Sequence, residues 1–393
     1  MDQIKKLAFS FLFCLLTFAT YSQRLDTTRI NYSPDARITL LTCSPGNQVY
    51  AAFGHTSIRV VDPVKNVDLV YNYGIFNFNT PNFYLKFARG MLKYMVARYP
   101  TRFFLREFQR EKRRVLEQEI NLTPDEKRQF LNVLEDNYID PNKRYYLYDF
   151  FYNNCSSKVR DMLKKEFNPI MPKEEKSDTT FRQMLDVYIA DQPWIDLGID
   201  LLLGVPVDKK ADAYNQMFLP DYLYYNMSKW KKQSGEPLLG KPRDLVAGSA
   251  KITYPAPGWN QPLYVFWALF GVVLLSTFLI QSRGFKRFLD GFFLLIVGLA
   301  GMLLLFMWVG TNHDATQVNL NVLWANPLYF FLAFAVWFNR GTKLTFRMML
   351  IVNALLLASW MFFPQKFHFS LIPIFLLMIV RAIDHLFLMK KLR

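Results

Sequence analysis

Histidine and cysteine are scarce in this chain, whose 393 residues include only 4 histidines and 3 cysteines. Before residue 260 there is one histidine, His55, and past the N-terminal apolar stretch there are two separated cysteines, Cys43 and Cys155. That set matches no zinc-ligand spacing. No glycine-rich loop follows a strand pattern, which excludes a phosphate cradle of the P-loop kind. The expectation is therefore no metal and no cofactor. Acidic residues are also outnumbered, 32 against 47 Lys and Arg, for a formal net charge of +15. Near the C-terminal end the basic residues sit between long apolar runs, so the excess points to a membrane protein and not to a nucleic-acid partner.

The apolar residues divide the chain. The N-terminus, MDQIKKLAFSFLFCLLTFATYSQ, has Lys5 and Lys6, an apolar core from Leu7 to Ala19 and small residues at Thr20 and Ser22, the pattern of a cleavable export signal over residues 1–22. Cleavage removes Cys14 and leaves Cys43 and Cys155 in a compartment that permits a disulfide. Residues 23–258 have the composition of a soluble domain. Residues 259–393 then carry five apolar segments, about 262–280, 289–309, 320–338, 346–363 and 371–389, each close to the roughly 20 residues that cross a bilayer. Arg283, Lys286 and Arg287, then Arg340, Lys343 and Arg347, then Lys390, Lys391 and Arg393 follow alternate segments. The positive-inside rule places all three groups in the cytoplasm, which puts the soluble domain outside, in agreement with the export signal. The expected location is a bacterial inner membrane, with the soluble domain in the periplasm and the C-terminus cytoplasmic.

Within the soluble domain ARITLLTCSPG, GHTSIRVVDP and VDLVYNYGIF alternate as three neighbouring antiparallel strands, and MLKYMVARYP and EKRRVLEQEINL read as two more. TPDEKRQFLNVLEDNYI opens with Thr123, Pro124 and Glu126, an N-cap, a helix-first proline and a capping box. This order predicts an α+β fold. LLLG at 201–204 is too short to span a membrane and suits core packing or a lipid-contacting flap. The Pro- and Gly-rich stretch from Pro237 to Pro262 reads as an irregular linker.

The stretch YYLYDFFYNNCSSKVRDML holds the candidate nucleophile. After an aromatic, strand-like run, Val159, Met162, Leu163 and Phe167 follow helical spacing, so Cys155 opens a helix. Unpaired N–H groups and the positive helix end favour a thiolate there. The bland alternatives are a small buried residue behind an Asn154 cap, or a Cys43–Cys155 bridge. A thiol catalyst needs a base, and His55, opening a strand after a turn, is the only histidine of the soluble domain.

A histidine opening a strand, a polar position on the next strand and a later Asn-Cys pair at a helix start resemble the circularly permuted papain-like group, which includes lecithin:retinol acyltransferase and relatives of NlpC-type cell-wall peptidases. The resemblance implies a permuted papain-like thiol fold with Cys155 and His55 catalytic and a third residue on VDLVYNYG, Asn72 first and Tyr71 or Tyr73 next. Asn153 and Asn154, with the helix-start N–H groups, are candidates for oxyanion support. More specifically, CSPGNQVYAAFGHTSIRVVDP, VYNYGIFNFNTPNFYLKFARGMLKYMV, YLYDFFYNNCSSKVRDML, WIDLGIDLLLGVPVD with MFLP, and TNHDATQVNLNVLWANPL resemble the Lnb lipoprotein N-acyltransferases of Bacteroidetes. That resemblance implies transfer of an acyl chain from a phospholipid donor, through a Cys155 thioester, to the N-terminal amine of a diacylated lipoprotein.

Two other readings remain open, a membrane-anchored cell-wall amidase or peptidase using the same pair, and a non-catalytic lipid-binding or sensor protein with the disulfide. A second constellation, His313, Asp314, Asn319 and Asn321 on the outer side, is read as lipid-headgroup binding, a lid, or merely interfacial polarity. His368 and His385 show no comparable neighbourhood in sequence.

Overall fold

Alternating side chains along β1 (Arg37–Cys43), β2 (His55–Asp62) and β3 (Val67–Ile75) give each strand two faces. In the computed structural model, which describes residues 28–173, 177–249, 258–340 and 342–388, they pair as antiparallel neighbours, Cys43 opposite His55 and Ile58 opposite Tyr71. The expected signal segment and the Lys390, Lys391 and Arg393 group lie outside the described residues. β4 (Lys93–Pro100), β5 (Val115–Glu119), β6 (Tyr145–Leu147) and β7 (Arg243–Val246) complete a seven-stranded antiparallel sheet in the order β6-β4-β3-β2-β1-β5-β7.

Each sheet face has its own cover. Ile38, Leu40, Ile58, Val60, Tyr71 and Tyr73 pack against Phe130, Leu134, Val159 and Leu163. The other face buries Leu41, Cys43 and Val70 beneath Phe104 and Phe108. The helices responsible follow α1 (Phe83–Ala88) in the chain: α2 (Thr101–Arg110) on the second face, and α3 (Pro124–Ile139) and α4 (Cys155–Phe167) on the first. The Thr123 capping box forms as expected, its hydroxyl accepting from Glu126 N–H. The region read as an irregular linker contains a strand. β7 pairs with β5, and Arg114 and Asp244 join side chains across it at 2.5 Å. A four-residue strand without alternation is invisible until its distant partner is in place.

The C-terminal region is helical: α8 (Pro262–Leu279), α9 (Arg283–Val309), α10 (Leu328–Trp337), α11 (Lys343–Ala358) and α12 (Ile372–Ile383), after α5 (Phe181–Ile189), α6 (Pro193–Leu202) and α7 (Pro220–Met227) of the N-terminal part. Among the described residues four helical stretches are long and apolar enough to cross a membrane, Pro262–Leu279, Arg283–Val309, Asp314–Trp337 and Phe369–Phe387. The segment expected at 346–363 forms the 16-residue α11, shorter than these. Lys286, read above as a loop charge, lies inside α9 and bonds Asp384 at 2.8 Å, while Arg381 reaches Asp290 at 2.6 Å and Thr277 at 2.7 Å. Charges this deep persist because they are paired.

The two parts meet at α6. Leu197, Leu201 and Leu202 pack into the apolar cluster of the membrane helices, whereas Leu203 packs on the cluster of Phe151, Phe181 and Phe218, so the LLLG leucines divide between the junction and the core of the soluble part.

Candidate active site

The cap of α4 places the thiol. Asn154 is extended, and its side-chain oxygen accepts from Ser156 and Ser157 N–H, both at 2.8 Å, while Ser157 Oγ accepts from Asn154 N–H at 2.7 Å. The Asn154 amide donates to the Phe150 and Phe218 carbonyls at 2.7 and 2.8 Å. Every polar atom of this side chain is thus committed to structure. Asn154 is a cap and not an oxyanion donor, which corrects that expectation. Asn153 donates to the Leu147 carbonyl at 2.6 Å and steadies the turn before the helix. The cap leaves Cys155 N–H as the first-turn donor with no acceptor among the described residues.

His55 reaches the thiol from the sheet. It opens β2, and its Nε2 lies 2.6 Å from Asn72 Oδ1. Since Ile58 pairs with Tyr71, Asn72 lies level with Ser57, whose hydroxyl donates to the same oxygen at 3.2 Å. The Asn72 amide nitrogen donates to the Tyr99 hydroxyl at 2.7 Å, which fixes the amide orientation. An oxygen at Nε2 keeps the proton there and turns Nδ1 toward the thiol. Tyr71 and Tyr73, one residue away on a strand, point to the opposite face, where Tyr71 bonds Glu135 and Tyr73 lies 3.3 Å from the Met162 sulfur. At Gly74, φ 95°, the β3–β4 register slips, and a side chain there would meet Cys155 Cβ at 3.7 Å. The bulge brings the strand end against the cysteine.

The electrostatics couple the pair. Burial pushes the Cys155 thiol up, but the His55 charge, a hydrogen bond from His55, the Thr56 N–H and the Ser156 hydroxyl outweigh it and leave the thiol below its ordinary value. Burial likewise pulls His55 down, yet the Cys155 charge and the bonds to Cys155 and Asn72 raise it above the usual imidazole value, against a smaller opposing effect of Arg113. Both shifts favour a thiolate–imidazolium pair. Cys43 differs: it is fully buried, its thiol pushed up by burial, and it sits under Phe104 and Phe108 on the α2 face. Both cysteines are free, so the Cys43–Cys155 bridge is not formed.

The second constellation does not assemble as one site. His313 Nε2 lies 3.2 Å from the Phe87 carbonyl, and the exposed Asp314 edges a small cleft with Phe151, Tyr152 and Phe181. Asn319 and Asn321 are buried elsewhere. Asn319 donates to the Leu201 and Leu202 carbonyls at 2.7 and 3.1 Å, and Asn321 to Asp200 and Leu201 at 3.3 and 3.2 Å. They clamp the end of α6 and have no free amide for a headgroup. His368, passed over in the sequence, meets Asp196 at 3.3 Å, with Asp200 close by. Its Nδ1 accepts from Ser370 N–H at 3.1 Å, which leaves the proton on Nε2 and makes His368 a donor to Asp196, not a ligand in this tautomer. His385 lies at 2.8 Å from the Thr342 hydroxyl and stacks on Phe346. Only folding reveals these neighbours, which come from distant segments.

No curated protein and no solved structure matches the chain. Two family models do: residues 24–187 match the Lnb N-terminal periplasmic domain and residues 256–393 the Lnb transmembrane domain. Between them they take in most of the sheet, Cys155, His55, Asn72 and all the membrane helices, and the chain therefore belongs to the Lnb family, with a periplasmic N-terminal part and a membrane domain.

Proposed function

We propose that the protein is a thiol-dependent lipoprotein N-acyltransferase on a permuted papain-like domain, with Cys155 as nucleophile, His55 as acid and base, and Asn72 holding the imidazole. The observation that carries this reading is the Cys155–His55–Asn72 arrangement on a domain joined directly to membrane helices. Cys155 Sγ attacks the ester carbonyl carbon of a phospholipid, the C–O bond breaks, and the departing alkoxide takes the His55 proton, giving a thioester and a lysophospholipid. The N-terminal amine of a diacylated lipoprotein then attacks the thioester carbonyl, His55 accepts the amine proton, and the C–S bond breaks to restore the thiolate. Cys155 N–H supplies one hydrogen bond to the developing oxyanion in each half-reaction. The α-amine, with a reference pKa near 8, must lose its proton before it attacks.

Two lipid substrates explain a membrane domain larger than an anchor, which a cell-wall amidase would not need. The deciding measurement is mass spectrometry of N-terminal lipopeptides from cells with the intact protein, a deletion, or Cys155→Ser at equal protein level, in a strain with no second enzyme of this kind. An amide-linked acyl chain present only with the intact protein supports the reading. Identical lipopeptides in all three strains overturn it and direct attention to muropeptides.

A further inference from the structure

The segment between β3 and β4 carries apolar side chains that the fold leaves uncovered. None of the six α1 side chains is buried. Tyr84 is 81% and Phe78 69% exposed, and Leu85, Phe87 and Met91 are exposed as well. Monomeric proteins rarely leave so contiguous an apolar patch facing water. Its position indicates what covers it. α9, long and apolar enough to span a bilayer, ends at Val309. Three residues on, Asn312 N–H donates to the Arg89 carbonyl at 2.9 Å, and His313 lies at the Phe87 carbonyl. Gly90 presses so closely on this loop that a Cβ there would stand 3.2 Å from both residues. α1 is therefore held level with the end of a membrane span. Lys86, Arg89 and Lys93 flank the aromatic residues, the composition of an interfacial anchor on a phosphate-bearing surface.

The patch also continues inward. Phe78 packs on Phe83 at 4.9 Å between centroids, Phe83 on Phe76 at 5.7 Å, Phe76 on Tyr94 at 5.2 Å and Tyr94 on Tyr148 at 4.3 Å. Phe76 lies two residues beyond Gly74, whose backbone abuts Cys155.

We infer that the segment Phe76–Met91 inserts into the adjoining leaflet of the bilayer and is the surface over which a phospholipid acyl chain passes, along the aromatic stack, to Cys155. The insertion stands on geometry alone; the passage of the chain rests on the acyl-transfer reading above.

The test uses the full chain in phospholipid nanodiscs, in a Cys155→Ser background that removes the reactive thiol. Spin labels are placed at Tyr84→Cys or Leu85→Cys, and at Arg128→Cys as an exposed control on α3, and each is probed for collision with oxygen and with a nickel chelate. Both α1 sites are exposed, so a label does not enter the core. Insertion requires oxygen to prevail over the chelate at both α1 sites and the chelate to prevail at residue 128. Labels at 84 and 85 as open to nickel as the control, as expected if the patch awaits a soluble protein, would overturn the inference. The readout involves no turnover, so a negative lipopeptide result would sink acyl transfer while leaving insertion standing. For the passage itself, Phe76→Ser in the catalytically intact chain must lower transfer from vesicle phospholipid at least tenfold; unchanged transfer rejects that route.

Discussion

At the residue scale, three side chains from different strands and a helix do distinguishable work. Under the proposed function, Cys155→Ser removes the nucleophile and is expected to abolish transfer. Cys43→Ser places a hydroxyl among Leu41, Phe104 and Phe108, a burial that costs roughly 1–3 kcal/mol without a partner. It should lower the melting temperature and leave activity per folded molecule intact. Equal loss of activity in both variants would contradict the separate roles. His55→Ala removes the charge and hydrogen bond that hold the thiol down, so the midpoint for iodoacetamide alkylation of Cys155 should move to higher pH. The thiolate–imidazolium form exists above the lowered Cys155 pKa and below the raised His55 pKa. Because the bond to Asn72 raises His55, Asn72→Ala should shift the alkaline limb of the pH–rate profile to lower pH. Loss of a hydrogen bond to a charged group, about 1.5–3 kcal/mol, corresponds to a fall in kcat of roughly 10- to 150-fold. An unmoved alkaline limb would remove Asn72 from the proposal. The cysteine, histidine and Asn72 were legible in the sequence because each sits where an element begins or alternates. Tyr99 was not, since its contact needs the β3–β4 register that pairs Asn72 with Ala97 and sets Tyr99 on the same face.

At the element scale, β1 to β3 and α3 could be read from alternation and a capping box, signals contained within a few residues. α4 was legible for the same reason, although the role expected of its cap was wrong. What a cap satisfies depends on the rest of the fold: Phe150 precedes the helix, whereas Phe218 comes from far along the chain. β7 shows the opposite limit, because a short strand is defined by its partner. The doubly bonded cap carries its own prediction. Asn154→Ala loses the bonds to two N–H groups, a change worth about 1 kcal/mol in a typical helix, and strands two carbonyls besides. It should therefore destabilise the protein more than Asn153→Ala, which loses one bond to Leu147. Thermal unfolding of the two variants in the same detergent measures the difference, and equal melting temperatures would show that the cap does not hold the helix start.

For the whole molecule, the question is whether the membrane helices merely tether the periplasmic part or hold it in one pose. The contacts favour a pose. Gly204 N–H donates to the Ala315 carbonyl at 2.9 Å, Val205 N–H to the Val318 carbonyl at 3.2 Å, and Gln365 joins Leu203, Asn319 and Leu320 N–H. Backbone meets backbone so closely that a Cβ on Gly204 would lie 1.9 Å from the Gln317 carbonyl oxygen. No rotamer change relieves a clash with a main-chain atom, so Gly204→Ala must displace the junction, at a cost of about 1–3 kcal/mol for overpacking. The His55–Asn72–Cys155 set lies within the periplasmic part and touches none of these residues. The variant should accordingly keep the wild-type pH profile of Cys155 alkylation in detergent, become more open to protease near residue 204, and lose transfer from vesicle phospholipid. If alkylation and transfer fall together, the junction supports folding of the site itself. If transfer survives while the junction opens, the membrane domain serves only as a tether, and the fixed pose has no part in delivering lipid to the thiol.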